Sequence, residues 1–386
     1  MAIDPQDNAD PQDNTDPQDN TGPQDNPVAE LSVREVVVET ADARSIIFDA
    51  PPGWLDFKPG QFLTLAVPSD LTGVAARCYS LSSTPGEGLT VTVKRTVDGY
   101  ASNWIADHLK AGDTLRVLPP SGIFTPASLD ADLLLFAGGS GVTPIISIAR
   151  TALRDGSGRI VVFYANRDES SVIFARVWAD LAAAYPDRLQ VVHWLESVQG
   201  LPSQDQIRAF ASQYVSYDAF VCGPAPFMTA TVAALRELEF PRERRHQEKF
   251  ISLGGNPFGD PEDVAAAEGE IEAAESDGSE GSEGPAEVAS DSNVGPSRVQ
   301  VELDGVDYDF DDWAPGVTLL EHLESKGIAA PFSCRLGECS ACACRILEGE
   351  VKMLNNDVLE DEDIADGIRL GCQSVAVTDH VRVSYS

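Results

Sequence analysis

Cys334-Arg335-Leu336-Gly337-Glu338-Cys339-Ser340-Ala341-Cys342, followed further on by Leu370-Gly371-Cys372-Gln373, is the stretch that decides how this chain is read. Four cysteines as C-x4-C-x2-C with a distant fourth match the spacing that holds a [2Fe–2S] cluster. Thiolate sulfur is a soft ligand that also suits zinc or copper(I), so spacing must choose among them. A structural zinc site normally joins two tight cysteine knuckles or ends in histidines. Here three cysteines crowd one loop and the fourth stands apart, which favours the cluster over zinc and over unrelated buried thiols. Cys344 falls outside the pattern and reads as a small buried residue.

The residues around this loop predict a small sheet. Two strands, 299–303 and 306–310, flank Asp304-Gly305, a strong hairpin signal. Thr318 and Glu321 form a capping box for a helix over 319–326, and Gly327 stops it. A closing strand is expected at 381–384. A sheet crossed by one helix is the β-grasp arrangement, here assigned to residues 297–386.

The net charge of −35 is unevenly spread. Residues 1–30 carry eight acidic and no basic side chains, and residues 260–291 carry twelve acidic and no basic ones. The last ninety residues hold 18 acidic and 7 basic groups, leaving −4 for the body at 31–259. Phosphate binding wants Lys and Arg, so a nucleic-acid partner is not expected. An acidic module suits docking to a basic protein as well as plain solubility. The seven cysteines suggest no disulfide framework, which fits a reducing cytoplasm. The first basic residue is Arg34, so no secretory signal is expected. The longest apolar runs are too short to span a bilayer, so no membrane association is expected either.

In chain order, residues 4–26 repeat Asp-Pro-Gln-Asp-Asn with no apolar side chain to bury in the repeat unit, which makes 1–29 a predicted disordered tail. Residues 30–127 show short alternating strands at 36–38, 45–48, 62–67, 89–94 and 114–117, separated by Gly and Pro, with one helix near 102–109. That pattern predicts an antiparallel β-barrel. Residues 128–257 alternate buried strands (133–136, 160–164, 189–193, 219–222) with helices (145–153, 172–184, 204–213, 227–238). Such alternation predicts an α/β domain with a parallel sheet. Residues 258–296 read as an acidic, disordered linker.

Three constellations carry chemistry. Gly139-Ser140-Gly141-Val142-Thr143-Pro144 joins a buried strand to a helix, so its N–H groups can face a pyrophosphate, although Pro replaces the third Gly of the dinucleotide fingerprint. On a strand, Arg77 and Tyr79 share one face and Cys78 and Ser80 the other, offering a cation and a ring to a phosphate-bearing flat ligand. Cys222-Gly223-Pro224 ends the last parallel strand, placing Cys222 at the mouth where such sheets bind ligands. Taken singly, each also fits an ordinary turn or a packed strand.

The order Arg77-x-Tyr79-Ser80, Gly99-x-x-Ser102, Gly139-x-Gly141-x-x-Pro144, Cys222-Gly223-Pro224 and Glu248-x-Phe250 resembles the ferredoxin-reductase flavoproteins, with a plant-type ferredoxin fused behind them. Longer segments, among them 76–81, 93–104, 164–168, 193–197 and 339–344, resemble the reductase components of bacterial steroid-degrading hydroxylases. The resemblance covers about 30–257 and 297–386. It implies FAD held by Arg77, Tyr79 and Ser80, with Gly99 and Ser102 at its pyrophosphate, a nicotinamide dinucleotide cradled by Gly139, Gly141, Thr143 and Pro144, and further cofactor contacts from Val93, Lys94, Asn166 and Arg167. It also sets Cys222, Gly223 and Pro224 against the nicotinamide, with Thr143 and Cys222 as the catalytic pair, and closes the flavin face with Glu248 and Phe250. Cys334, Cys339, Cys342 and Cys372 are the implied cluster ligands.

The implied activity moves electrons from NADH through FAD and [2Fe–2S] to a separate terminal oxygenase of Rieske type, by a monomeric reductase. The five histidines are scattered, without the 2-His-1-carboxylate pattern that oxygen activation needs, so hydroxylation belongs to the partner. Arg167 follows the second strand and could meet the 2′-phosphate of NADPH or be a surface charge, while the resemblance favours NADH. Two readings stand beside this one: a reductase for another oxygenase, such as that acting on phenylacetyl-coenzyme A, and a non-catalytic zinc or redox-sensing module.

Overall fold

The computed structural model describes residues 28–69, 73–97, 99–250, 256–258, 295–303 and 305–385. Nearly all of the expected repeat tail and acidic linker lies outside these residues.

The first unit is a six-stranded antiparallel sheet in the order β4-β3-β6-β1-β2-β5. Its strands are β1 (Ala29–Thr40), β2 (Ala43–Phe48), β3 (Phe62–Ser69), β4 (Gly73–Ser80), β5 (Leu89–Lys94) and β6 (Thr114–Ser121). A bridge between Leu81 and Val91, with Ser82 N donating to the Thr90 carbonyl at 2.8 Å, ties the end of β4 to β5 and closes the barrel. Alternation fills the interior with Leu31, Val33, Leu63, Leu65 and Val91. Strand β3 is buried on both faces for six consecutive residues, because Phe62 and Ala66 pack outward against the cysteine loop. Helix α1 (Tyr100–His108) follows β5.

The second unit is a parallel sheet in the order β11-β10-β7-β8-β9. Here β7 is Leu133–Gly138, β8 Ile160–Asn166, β9 Leu189–Leu195, β10 Asp218–Cys222 and β11 Arg245–Glu248. Helices α2 (Val142–Asp155), α3 (Ala175–Ala184), α4 (Glu196–Gln199), α5 (Gln204–Ala211) and α6 (Ala225–Glu237) connect or follow these strands. Strand β7 is the axis of the core: Leu133, Leu135 and Ala137 face one apolar layer, Leu134 and Phe136 the other. The helix expected over 172–184 begins only at Ala175. Val172 and Ile173 satisfy the helical period, but they enter the core from an irregular segment that turns at Phe174, φ +61°.

The third unit orders its strands β13-β12-β18-β14-β16: β12 (Ser297–Leu303), β13 (Val306–Trp313), β14 (Ala343–Glu348), β16 (Ile368–Leu370) and β18 (His380–Ser384). A small pair, β15 (Val351–Met353) with β17 (Ser374–Ala376), stands beside it. Strand β18 lies in the middle, parallel to β12, which makes a β-grasp sheet. Helix α7 (Leu319–Ser325) has the expected box, Thr318 Oγ1 accepting from Glu321 N and Glu321 accepting from Thr318 N. Helix α8 (Asp361–Ala365) precedes β16. No helix among the described residues is long and apolar enough to cross a membrane.

Candidate functional site

The three units meet at one cleft of about 900 Å3, its open mouth included. The barrel contributes Phe62, Cys78 and Ser80; the parallel-sheet unit contributes Glu248, Lys249 and Phe250; the cysteine loop contributes Cys339 and Ser340. The alternation expected on β4 holds, and it is the Cys78/Ser80 face that lines this cleft. Arg77 and Tyr79 lie on the opposite face, where Tyr79 packs against the barrel core. Burial raises the Cys78 thiol to about 12, so it packs as a neutral group. Glu248 keeps part of its surface open to the cleft, yet burial raises its carboxyl to about 8.

The order of the parallel sheet reverses between β7 and β10, and ligands of open α/β sheets bind outside the strand ends at such a point. The loops there approach too closely for side chains. A Cβ on Gly141 would stand 2.2 Å from the Cys222 carbonyl oxygen, and one on Gly223 would stand 2.9 Å from Gly138 Cα. Gly139 takes φ +52°. A 3-10 turn at Gly139–Gly141 runs into α2 with no side-chain cap at Gly138 or Gly141, which leaves N–H groups of the glycine turn to a ligand. Thr143 is buried and donates to the Ser140 carbonyl at 3.1 Å, which braces the turn. Pro144 falls inside the first helical turn, where its missing N–H costs nothing.

Strand β10 ends at this switch point, its Cys222 carbonyl against the Gly141 turn, but the Cys222 side chain is fully covered, and burial pushes its thiol well up. Across the boundary, Lys94 Nζ stands 3.8 Å from where a Cβ of Gly139 would be, although the sequence motifs put the two in different domains. Val93 is buried inside the barrel. Helix α1 also opens without a side-chain cap, at Gly99, while Ser102 Oγ accepts from Thr96 N at 3.1 Å to shape the turn before it. Two uncapped helix starts, one on the barrel and one on the parallel sheet, fit the phosphates of a flavin nucleotide and a nicotinamide dinucleotide respectively.

The four thiols Cys334, Cys339, Cys342 and Cys372 are all buried and form one group. Cys339 and Cys372 hydrogen-bond to the Cys334 sulfur, which also accepts from Leu336 N at 3.4 Å. Those hydrogen bonds, from Cys339 first, hold Cys334 far below the ordinary thiol range. Sharing with Cys334, then burial, pushes Cys339 the other way. Among the described residues no group of three such side chains is placed around a single ion; the four thiols form one chain of contacts, Cys339–Cys334–Cys372–Cys342. Four buried sulfurs, with Cys334 and Cys339 accepting backbone N–H bonds, fit the cysteine ligand set that holds a two-iron cluster. The loop is held by Gly337 at φ +79° and by Arg335, whose guanidinium pairs with Glu324 at 2.5 Å and lies 4.1 Å over Phe332.

Two seams join this loop's domain to the rest, and sequence reasoning found neither. At the barrel, Thr64 Oγ1 lies 2.6 Å from Ser333 Oγ, the residue before Cys334, inside the apolar group of Phe62, Ala66, Ala76, Leu118 and Ala341. At the parallel sheet, Arg236, Arg242, Arg245 and Lys249 face Glu360, Glu362 and Asp363 of the α8 segment. Arg236–Glu362 spans 2.9 Å, Arg245–Glu362 3.0 Å and Lys249–Glu360 3.0 Å, and Arg242 pairs with Asp363. The signal available was the arginine run at 242–245 set against the acidic run at 360–363.

Comparison with known proteins follows the same division. Family models match an oxidoreductase FAD-binding domain at 29–125, an oxidoreductase NAD-binding domain at 135–233 and a 2Fe-2S iron-sulfur cluster binding domain at 301–377. The ferredoxin reductase component of 3-ketosteroid-9-alpha-monooxygenase from Rhodococcus rhodochrous is 50% identical over 92% of this chain and 96% of its own length. The component of that name from Mycolicibacterium smegmatis is also 50% identical, over 93% of this chain and 97% of its own. Among solved structures, phthalate dioxygenase reductase shares the fold with a TM-score of 0.52 at 22% identity, over 94% of this chain and all of that one.

Proposed function

This chain belongs to the oxidoreductases that join FAD-binding, NAD-binding and [2Fe–2S] domains in one polypeptide, and from that membership we propose that it serves as the ferredoxin reductase component of a 3-ketosteroid 9α-monooxygenase. The bound cofactors supply the redox chemistry itself, hydride transfer from nicotinamide to flavin and one-electron transfer through the cluster. The chain's residues bind, orient and exclude water. Gly139, Gly141 and the uncapped start of α2 receive the dinucleotide pyrophosphate, with Thr143 and Pro144 fixing the turn and Lys94 neutralising charge. Arg77, Tyr79, Ser80, Gly99 and Ser102 hold FAD, and Phe250 shields its outer face. Gly223 and Pro224 leave room for the nicotinamide, Cys222 packs beneath it, and Glu248 stays near neutral in the cleft. Cys334, Cys339, Cys342 and Cys372 ligate the cluster.

The observation that carries this reading is the single cleft bordered by Ser80, Glu248, Phe250 and Cys339, which brings a flavin-strand residue and a cluster cysteine to the same cavity. A cleft completed within one chain supports a monomeric reductase, and the unpaired cysteines support a reducing, cytoplasmic setting. The electron acceptor is proposed to be a Rieske-type terminal oxygenase. The test is the visible spectrum of purified protein before and after anaerobic NADH. Flavin bands overlaid on iron–sulfur absorbance, both bleaching, are expected; a colourless zinc protein would end the reading.

A further inference from the structure

Arg167 and Asp42 meet across the boundary between the barrel and the parallel-sheet domain, with Arg167 Nη2 2.9 Å from Asp42 Oδ2. Lys94 Nζ lies 3.8 Å from the same oxygen, so one carboxylate serves two cations above the Gly139 turn. Asn166, which ends β8, is buried, and its amide makes no well-formed hydrogen bond among the described residues, although the Tyr164 hydroxyl lies beside it. A buried amide without a partner at a strand end marks a place where a polar ligand completes the structure. In sheets of this kind the region following the second strand reads the adenine ribose: a carboxylate accepts from a 2′-hydroxyl, whereas an arginine receives a 2′-phosphate. This chain sets both groups there, and they are paired with each other.

We propose that Asp42, on the turn between β1 and β2 of the barrel, is the residue that makes the nucleotide site select NADH over NADPH, by occupying Arg167 and meeting a 2′-phosphate with like charge. The inference rests on the functional reading above and concerns only which nucleotide is preferred. A phosphomonoester brings a charge of about −1.5 to −2. It would have to displace Asp42 from Arg167 while Lys94 stays shared, whereas the neutral 2′-hydroxyl of NADH disturbs neither pair. Burial works against the charge on Asp42, but the Thr40 hydroxyl, Lys94 and Arg167 outweigh it and keep the carboxyl below its ordinary range. Asp42 is therefore anionic at neutral pH. The turn itself does not need that charge. The Asp42 carbonyl accepts from Arg95 N at 2.8 Å, and its side chain accepts from Thr40 Oγ1 at 2.8 Å, which an amide oxygen does equally well.

The experiment compares wild type, Asp42→Asn, Arg167→Ala and the double variant, all FAD-loaded. It measures calorimetric binding of adenosine 2′,5′-bisphosphate and of 5′-AMP, and kcat/KM for flavin reduction by each nucleotide. Asp42→Asn is expected to raise the NADPH-to-NADH ratio about tenfold, through KM, and to tighten the bisphosphate selectively. Arg167→Ala should lower that ratio and erase the gain in the double variant. An unchanged ratio and unchanged bisphosphate affinity in Asp42→Asn with its flavin retained would overturn the proposal. Should that variant lose FAD, an unchanged ratio in Arg167→Ala, whose side chain is 64% exposed, overturns it equally. Wild-type flavin bleached by neither nucleotide would instead sink the functional reading, a separate and visible result.

Discussion

The two seams that hold the cysteine domain are built from opposite materials. Against the barrel, the contact is apolar and closely packed, with the Thr64–Ser333 hydroxyl pair at its centre. Against the parallel-sheet domain it is a field of arginines facing acids. Apolar contacts act only at touching distance and exclude water, which suits the place where electrons must cross between the flavin strand and Cys334. Ion pairs reach further but are individually weak and are screened by salt. The first seam is therefore a short, water-free contact, and the second a salt-sensitive one.

That contrast can be broken in graded ways. The largest effect is expected from Cys334→Ser, which removes a proposed cluster ligand next to the apolar seam. Cytochrome c reduction should be lost while NADH still bleaches the flavin, and loss of flavin bleaching too would reverse the assumed order of the relay. Next is Ala66→Leu, since overpacking a filled contact costs about 1–3 kcal/mol. Stopped-flow transfer from flavin to cluster should slow about tenfold, and should stay slow at any salt concentration.

The pair Arg242→Glu with Arg245→Glu should slow the same step only several-fold at low salt, because each pair is worth at most about 1 kcal/mol. Its deficit should vanish at high salt, where wild type slows to match; a salt-independent deficit would place these arginines in folding instead of docking.

The last test concerns pH. Burial raises Glu248 from 4.5 to about 8, so between those values the folded state binds the extra proton. Stability then falls as pH rises through that window and levels above it. Glu248→Gln should flatten the Tm profile between pH 5 and 8.

Much of this was legible in the chain. Alternating apolar residues announced the barrel strands, a buried run after Asp132 announced β7, and C-x4-C-x2-C announced the cluster loop, because each depends on residues a few positions apart. The glycines of 139 and 141 pointed to a phosphate-sized gap for the same reason. Two local readings went further than the structure. The helix expected from 172 starts later, since apolar spacing cannot tell a helical face from a loop plugged into the core. Cys222 ends its strand at the switch point, and its thiol is packed into the core.

What the sequence determined by itself is the order and kind of the three domains and the residue types they offer. Which face of β4 lines the cleft, and that Ser333 meets Thr64 or Asp42 meets Arg167, only the tertiary structure decided. Those partners stand 269 and 125 residues apart. Neighbouring residues share dihedral and periodic constraints that a string of letters displays. Distant ones are brought together by the packing of whole domains, and no local pattern carries that information.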